Sequence, residues 1–347
     1  MGVLRRAIDR YFDRRLVDAG DRALELDQRW AHLLRHGSFP LAYAAVSETY
    51  VKSFGDAHGF LAYGQKMGET IVLGDPLVST ADAPGLIDEF IARMGRPSFA
   101  AVGEATAALL AARGYRVNAF GYDSVIDLAG HSFAGKDGKR IRYATSWLGA
   151  QGMRVEERPI EDFSRTEIEA MSVEWRKTRV VARREIRFLN REFAMHSELG
   201  VRRFFALSAK GRPQGLVSFD PVFREGETIG YLASNKRRYP QGSAYLDLAI
   251  MRHAIDCFRQ EGREALWLGL SPLAPAGPSP FRDDPVVRSL FAHAFRSSLC
   301  NRKLFSLQGV AEYKNRFRGR RVPAYVAFPP GFNLHRVIAL FRLIRVL

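Results

Sequence analysis

The residues with the clearest chemical potential form a basic turn directly before a predicted helix. Arg237 and Arg238 precede Gly242 and two small residues, and apolar residues then recur at helical spacing from Tyr245 to Gln260. A helix N-terminus carries partial positive charge and unpaired N–H groups, which suit an anion such as a phosphate. We therefore predict that Arg237, Arg238 and Gly242 bind an anionic part of the substrate.

Two cation-rich segments extend this positive character. Residues 176–191 hold seven Lys and Arg against Glu185 alone, and residues 296–321 hold eight against Glu312 alone. The 347 residues carry 52 Lys and Arg against 37 Asp and Glu, a net charge of +15. Such a surplus attracts a nucleic acid or an anionic membrane surface. Tyr313 among the cations allows base stacking, although these segments also fit a solvated basic face and a packed aromatic ring.

Other chemistries find little support in the sequence. Two cysteines build neither a disulfide framework nor a zinc site by themselves. The glycine-rich stretch 130–136 has the spacing of a P-loop, but Asp137 stands where Ser or Thr would hold magnesium. The sequence therefore predicts no metal. The sequence contains no run of about 18 uncharged apolar residues, so it predicts no membrane span.

An internal repeat organises the elements that must position these residues. Each copy has an apolar strand, a turn, Gly-Glu-Thr and a second strand, followed by a helix and another strand. The two copies lie about 157 residues apart. The predicted hairpins, helices and strands are 59–71 with 86–94 and 98–102, and 215–229 with 245–260 and 265–270.

This unit resembles a GCN5-like N-acetyltransferase (GNAT) fold. The resemblance implies an α/β protein with a mixed sheet, built as a tandem repeat of two GNAT-like units. We predict the first unit at 26–135 and the second, which carries the active site, at 136–330. Residues 1–25 and 331–347 each contain a basic amphipathic helix, which either lies in a membrane interface or docks on the body.

Several short motifs, in unbroken order over about residues 25–328, are similar to one family. This is the cytosolic C-terminal domain of phosphatidylglycerol lysyltransferases, the multiple peptide resistance factors. The clearest matching stretches are Ile71–Pro76, Arg113–Tyr115, Leu266–Ala274 and Tyr313–Phe317. The resemblance implies transfer of an amino acid from charged tRNA to a lipid headgroup.

The family pattern also implies site residues. Where the family has Asp-Leu-Met-Arg-Arg, this chain has Ser234-Asn235-Lys236-Arg237-Arg238, which keeps both arginines and replaces the acid by Ser234. That replacement leaves the transferred amino acid open. A helix Asp of the family matches Asp247, and a Phe-Lys-x-Lys-Phe pattern matches Tyr313 to Phe317 with Arg316 as its second cation.

The chemistry that these residues must perform is modest, because an aminoacyl ester is already activated. We predict Asp247 as a base or as an anchor for the substrate ammonium, and Lys314 as the second catalytic residue. Lys314 and Arg316 are expected to bind phosphate, and Ser271 to hydrogen-bond the substrate. Glu185 either lies near the substrate, as carboxylates of the family do in this region, or pairs with cations.

The sequence thus predicts an aminoacyltransferase that uses aminoacyl-tRNA and acts on an anionic phospholipid headgroup such as phosphatidylglycerol, or on a related acceptor. The expected partners are aminoacyl-tRNA and anionic membrane lipids, with no metal, no cofactor and no DNA. The expected location is the cytoplasm, at the inner face of the membrane. One alternative is an N- or O-acyltransferase that uses acyl-CoA or acyl carrier protein on an amino-lipid or small amine. A non-enzymatic basic binding protein is the third possibility.

Overall fold

The computed structural model describes residues 12–13, 16–136, 138–179, 185–331 and 333–347. Most of the predicted N-terminal helix, over 3–17, lies outside the described residues. Arg183 and Arg184 of the first cation-rich segment and Asp137 also lie outside them.

The first part of the chain is a hairpin-centred α/β unit preceded by two helices. Its elements in chain order are α1 (Leu26–His36), α2 (Ala42–Ser47), β1 (Lys52–Gly55), β2 (Phe60–Lys66), β3 (Glu69–Leu73), α3 (Ala83–Met94), β4 (Ser98–Val102), α4 (Glu104–Ala112) and β5 (Arg116–Asp127). Short 3-10 turns occur at Gly20–Arg22 and Ile160–Asp162.

The second part repeats this order with a longer hairpin and with three helices, instead of one, between its last two strands. Its elements are α5 (Lys139–Ala150), β6 (Arg154–Glu157), α6 (Arg165–Lys177), β7 (Arg202–Leu207), β8 (Pro213–Arg224), β9 (Glu227–Arg238), α7 (Tyr245–Gln260), β10 (Ala265–Pro272), α8 (Pro285–Arg296), α9 (Ser298–Lys303), α10 (Leu307–Asn315), β11 (Arg320–Phe328) and α11 (Leu334–Leu343).

The predicted repeat is confirmed in both copies. Each Gly-Glu-Thr lies at a β-turn between antiparallel strands, β2 with β3 and β8 with β9. Met67 and Gly68 turn the first hairpin, and Glu225 and Gly226 turn the second, all with positive φ. The strand after each helix then pairs in parallel with the second strand of its hairpin. The predicted helix over 245–260 has the observed bounds of α7.

The described strands form one mixed sheet in the order β1-β2-β3-β4-β11-β5-β10-β9-β8-β7-β6. The last strand of the second part, β11, lies between β4 and β5, while β5 lies between β11 and β10. The predicted boundary at 135/136 falls between β5 and α5. A strand of the second part, β11, thus lies next to β4 of the first part, and β5 of the first part lies next to β10 of the second. This strand exchange joins the two predicted units in one continuous sheet.

The C-terminal helix α11 docks on the body. Val337, Leu340 and Leu343 are buried against the core around β2. Arg336 donates to Glu69 at 2.6 Å, which fixes the polar side of the helix on β3. A Cβ at Gly64 would lie 2.8 Å from Phe188 and 2.9 Å from Leu343, so the helix packs closely on β2 at this glycine. Of the two placements predicted for this helix, the structure shows the docked one.

Candidate active site

A cavity of about 940 Å³ opens where β9 and β10 separate. The two strands pair in parallel only as far as Leu232 and Trp267, although β9 continues to Arg238 and β10 to Pro272. Gly269, with a φ of 78°, lies where the register of β10 shifts. The separated strands therefore direct successive residues into the space between them, and α10 and α7 close its sides.

The cavity has two chemically different walls. The charged wall comes from β5, β8, β9, α7, α10 and the segment after α6. Its ionisable residues are Asp123, Arg179, Glu185, Arg191, Asp220, Lys236, Arg237, Arg238, Asp247, Glu312, Lys314 and Arg316. Seven of these are cations and five are acids, so this wall favours an anionic ligand.

The other wall is apolar and comes from α8 to α11. Its residues include Leu290, Phe291, Leu304, Phe305, Leu307, Val310, Leu334, Val337, Ile338 and Phe341. Such a wall gains free energy by covering hydrocarbon, at roughly 25 cal/mol per Å² of apolar surface removed from water. The docked α11 therefore contributes to the cavity as well as to the core.

Arg237 is a fixed, buried part of the charged wall. Its side chain is 1% exposed and lies between the rings of Trp175 and Phe193, at 4.3 and 4.5 Å. It donates to both carboxylate oxygens of Glu185, at 2.8 and 3.0 Å, and to Ser172 at 2.9 Å. Burial lowers the pKa of Arg237 to about 10, while Glu185 opposes that shift. A phosphate would have to replace these internal partners, so the arrangement suits a positioning role for Arg237 and Glu185.

Arg238 and Asp247 link the basic turn to the first turn of α7. Arg238 donates to the carbonyl of Gly242 at 2.6 Å, and its Nε lies 3.4 Å from Oδ2 of Asp247. Oδ1 of Asp247 is buried without a hydrogen-bond partner among the described residues. A Cβ on Gly242 would lie 2.7 Å from Leu246, so the turn packs tightly on the helix. Asp247 therefore offers one vacant acceptor to the cavity.

Lys314 and Asp123 both line the cavity and interact electrostatically with each other. Lys314 donates to the carbonyl of Leu270 at 2.6 Å. Burial raises the pKa of Asp123 to about 6 and lowers that of Lys314 to about 8, and the two groups oppose each other's shifts. Asp123 lies on β5 and Lys314 on α10, so the pair depends on the strand exchange between the two parts of the sheet.

Lys236 stands over the face of Tyr313, with Nζ 3.3 Å from the ring centre. Burial lowers the pKa of Lys236 to about 7 and raises the pKa of Tyr313 well above its usual range. The hydroxyl of Tyr313 has no hydrogen-bond partner among the described residues. Tyr313 is thus both a packed ring, as one reading of the sequence expected, and part of the cavity wall.

Ser234 takes the place of the family acid and contacts a different acid instead. Its hydroxyl donates to Oδ1 of Asp220 at 2.9 Å, and Asp220 lies on the neighbouring strand β8. Arg191 binds both oxygens of Asp220, at 2.8 and 3.0 Å, with both side chains buried. The acid nearest to Ser234 is therefore already neutralised.

The structure brings most of the predicted site residues together. Ser234, Arg237, Arg238, Asp247, Tyr313, Lys314, Arg316 and Glu185 all line the cavity. Gly242 lies behind the wall in the turn. Ser271 is fully buried, does not line the cavity, and its hydroxyl has no hydrogen-bond partner among the described residues. Sequence reasoning missed Lys236, Asp123 and Asp220 as cavity residues, although an isolated charge within a strongly apolar strand was a usable signal for Asp123 and Asp220.

No group of three or more His, Cys, Asp or Glu within the described ranges could hold a metal ion.

The basic turn before α7 is internally hydrogen-bonded. The N–H groups of Gly242, Tyr245 and Leu246 bond to Tyr239 and Ser243 within the turn. A pyrophosphate at this helix start would compete with those bonds.

The repeated hairpin, helix and diverging strand, with a charged cavity at the divergence, define a tandem GNAT-like transferase fold. The family model described as "Phosphatidylglycerol lysyltransferase, C-terminal" matches residues 30–328. The chain belongs to this family, whose members are acyl- or aminoacyltransferases. The family and the fold predicted from the sequence are both confirmed.

Two solved structures share this fold, and one curated protein is similar in sequence. The structure of L-PGS from Bacillus licheniformis has a TM-score of 0.74 at 18% identity and covers 93% of this chain and 98% of that one. The C-terminal domain of a putative lysylphosphatidylglycerol synthetase from Agrobacterium fabrum gives 0.74 and 18%, covering 94% and 98%. An uncharacterized protein from Corynebacterium glutamicum is 23% identical over 90% of this chain and 40% of its own length. The chain thus spans less than half of that relative.

Proposed function

We propose that this protein transfers an aminoacyl group from aminoacyl-tRNA to an anionic phospholipid headgroup, such as phosphatidylglycerol or a related acceptor. The observation that carries the proposal is the pairing of a charged wall and an apolar wall in one cavity. A lipid has an acyl chain for the apolar wall and a phosphate for the cationic groups. The family model supports the same class of reaction.

The charged wall has the groups that an ester exchange needs. The vacant Oδ1 of Asp247 accepts the α-ammonium of the aminoacyl group, while Arg238 holds the carboxylate in place. Lys314 supplies positive charge beside the developing oxyanion, in a buried site where such charge acts strongly. Catalysis then depends mainly on alignment of the acceptor hydroxyl with the ester carbonyl.

An aminoacyl-tRNA donor fits the site better than acyl-CoA. Three N–H groups at the start of α7, those of Gly242, Tyr245 and Leu246, already bond within their own turn, so a pyrophosphate would have fewer donors here. Arg318, Arg320 and Arg321 are exposed beyond Arg316 at the cavity wall, where an RNA backbone would meet them.

Helices α8 and α9 support contact with a membrane surface. Val286 and Leu299 are 60% and 64% exposed, and the exposed cations Arg296, Arg302 and Lys303 lie on the same two helices. Exposed apolar side chains next to cations suit the interface of an anionic bilayer. The same helices form the apolar wall, so a lipid would enter from this face. We therefore propose peripheral attachment at the cytoplasmic face of the membrane. Within the described part of the chain, no helix has the length and apolar character to cross a bilayer.

The test is a reconstituted transfer assay. The purified chain is mixed with phosphatidylglycerol-containing vesicles and tRNA charged with a full set of labelled amino acids, and extracted lipids are examined by mass spectrometry. The proposal expects a lipid heavier by one aminoacyl group that is lost after ribonuclease treatment. Parallel reactions with acyl-CoA test the alternative donor. An acylated lipid formed from acyl-CoA, with no aminoacyl-lipid formed from charged tRNA, would overturn the proposal.

A further inference from the structure

Lys236 occupies an unusual place for a charged side chain. It lies on β9 beyond Leu232, where pairing to β10 has ended, and lines the cavity. Its Nζ lies over the face of Tyr313, 3.3 Å from the ring centre, which places the amine on the cavity wall.

The surroundings of Lys236 contain more positive than negative charge. Asp247 on α7 favours its protonated form, while Lys314 on α10 and Arg179 after α6 oppose that form. Burial, the largest cause, lowers the pKa of the amine to about 7, and the two cations act in the same direction. A substantial fraction of Lys236 is therefore neutral near pH 7, and a neutral amine accepts protons.

Several other ionisable groups of the wall are less suited to accept a proton. One oxygen of Asp247 lies 3.4 Å from Arg238, and its other oxygen is the one proposed above to bind the ammonium of the donor. Lys314 donates to a carbonyl and faces Asp123. Glu185 and Asp220 are each bound by an arginine through two hydrogen bonds. Lys236 contacts a ring face instead of a strong acceptor, which leaves its lone pair available to a substrate.

We propose that Lys236 is the proton acceptor of the transfer step, an assignment that rests on the function proposed above. The acceptor hydroxyl oxygen forms a bond to the ester carbonyl carbon and gives its proton to Nζ of Lys236. The tetrahedral intermediate then collapses, the bond from that carbon to the ribose oxygen breaks, and Lys236 returns the proton to the ribose oxygen. Atoms and charge balance without another reactant.

Two substitutions separate this role from a merely electrostatic one. Lys236→Arg keeps the positive charge but does not lose its proton, and Lys236→Met keeps an unbranched side chain but removes the amine. We expect both variants to lower kcat by about 100-fold or more, with KM for the lipid within about threefold for Lys236→Arg. We expect kcat/KM of the wild type to rise with pH through about 7, and we expect both variants to lose this dependence. Near wild-type kcat in Lys236→Arg would overturn the proposal.

A second measurement tests the amine without any assay of lipid transfer. Trace acetylation with acetic anhydride across about pH 5.5 to 10, read by peptide mass spectrometry, reports when each lysine becomes neutral. We expect Lys236 to become reactive about three pH units below a surface control such as Lys210. Reactivity that follows the control would overturn the assignment. Early reactivity in a chain that forms no aminoacyl-lipid would contradict the proposed substrates and leave the properties of Lys236 supported.

Discussion

The guanidinium of Arg237 is bound by both oxygens of Glu185 while two aromatic rings cover its faces. This contact joins β9 to the segment after α6 and makes both residues part of the cavity wall. An ion pair of this kind is costly to break from one side, because the remaining charge is left without a partner.

Removal of one member of this pair should therefore lower the free energy of unfolding more than removal of both members. We expect Arg237→Leu to lower the free energy of unfolding by about 3 kcal/mol. The double variant Arg237→Leu with Glu185→Leu should recover at least half of that loss. Urea unfolding of the three proteins measures both values. Equal losses in the single and double variants would show that the ion pair has no such coupling.

Asp247 should recognise the ammonium of the donor. Asp247→Asn keeps the shape and removes the charge, so we expect KM for aminoacyl-tRNA to rise about tenfold or more. Donors whose α-amine has been acetylated lack the ammonium and should be used equally poorly by both proteins. Steady-state kinetics with the two donors makes the comparison. A variant that discriminates between the donors as strongly as the wild type would contradict the anchor role.

The exposed apolar residues of α8 and α9 should attach the protein to anionic membranes. Leu299→Glu places a charge on the 64% exposed side chain without disturbing the core. We expect at least a fivefold weaker affinity for phosphatidylglycerol vesicles in a sedimentation assay. Leu199→Glu is the matched control, because Leu199 is 63% exposed outside α8 and α9. Equal loss in both variants would show that α8 and α9 are not the contact.

The buried amine of Lys236 should lower the stability of the folded chain. Its pKa is about 7 in the folded chain and higher when unfolded, so the cost of burying its charge is full below pH 7 and is relieved as pH rises toward about 10. Lys236→Met should therefore raise Tm by about 2 °C or more at pH 6. The gain should shrink by pH 9. Thermal melts at both pH values test this sign, and a gain that grows with pH would contradict it.

The repeat was readable from sequence because its signals are local. A Gly-Glu-Thr turn between apolar strands and a period of 3.6 residues from Tyr245 identify hairpin and helix without reference to the rest of the chain. The order of the sheet was not readable, because β5 pairs with β11 across more than 190 residues of sequence. The Lys314–Asp123 pair depends on that exchange and was missed with it.

The candidate site was predicted in outline because local sequence motifs identify many of its residues. The motifs identified Arg237, Asp247, Lys314 and Tyr313 as site residues. A motif does not show, however, which charged side chains already form ion pairs within the protein. The buried pair of Arg191 and Asp220 spans two elements, and it neutralises the acid next to Ser234. The predicted phosphate role of Arg237 and the substrate role of Ser271 stay predictions.

The central claim is that the cavity transfers an aminoacyl group to a lipid. Its most direct test is mass spectrometry of total lipids from cells that express the wild type or Lys314→Ala. We predict a new lipid, heavier than an anionic phospholipid by one amino-acid residue, in the wild type and not in the variant at matched protein levels. A lipid heavier by a fatty acyl group, or the same new lipid in both strains, would contradict the account.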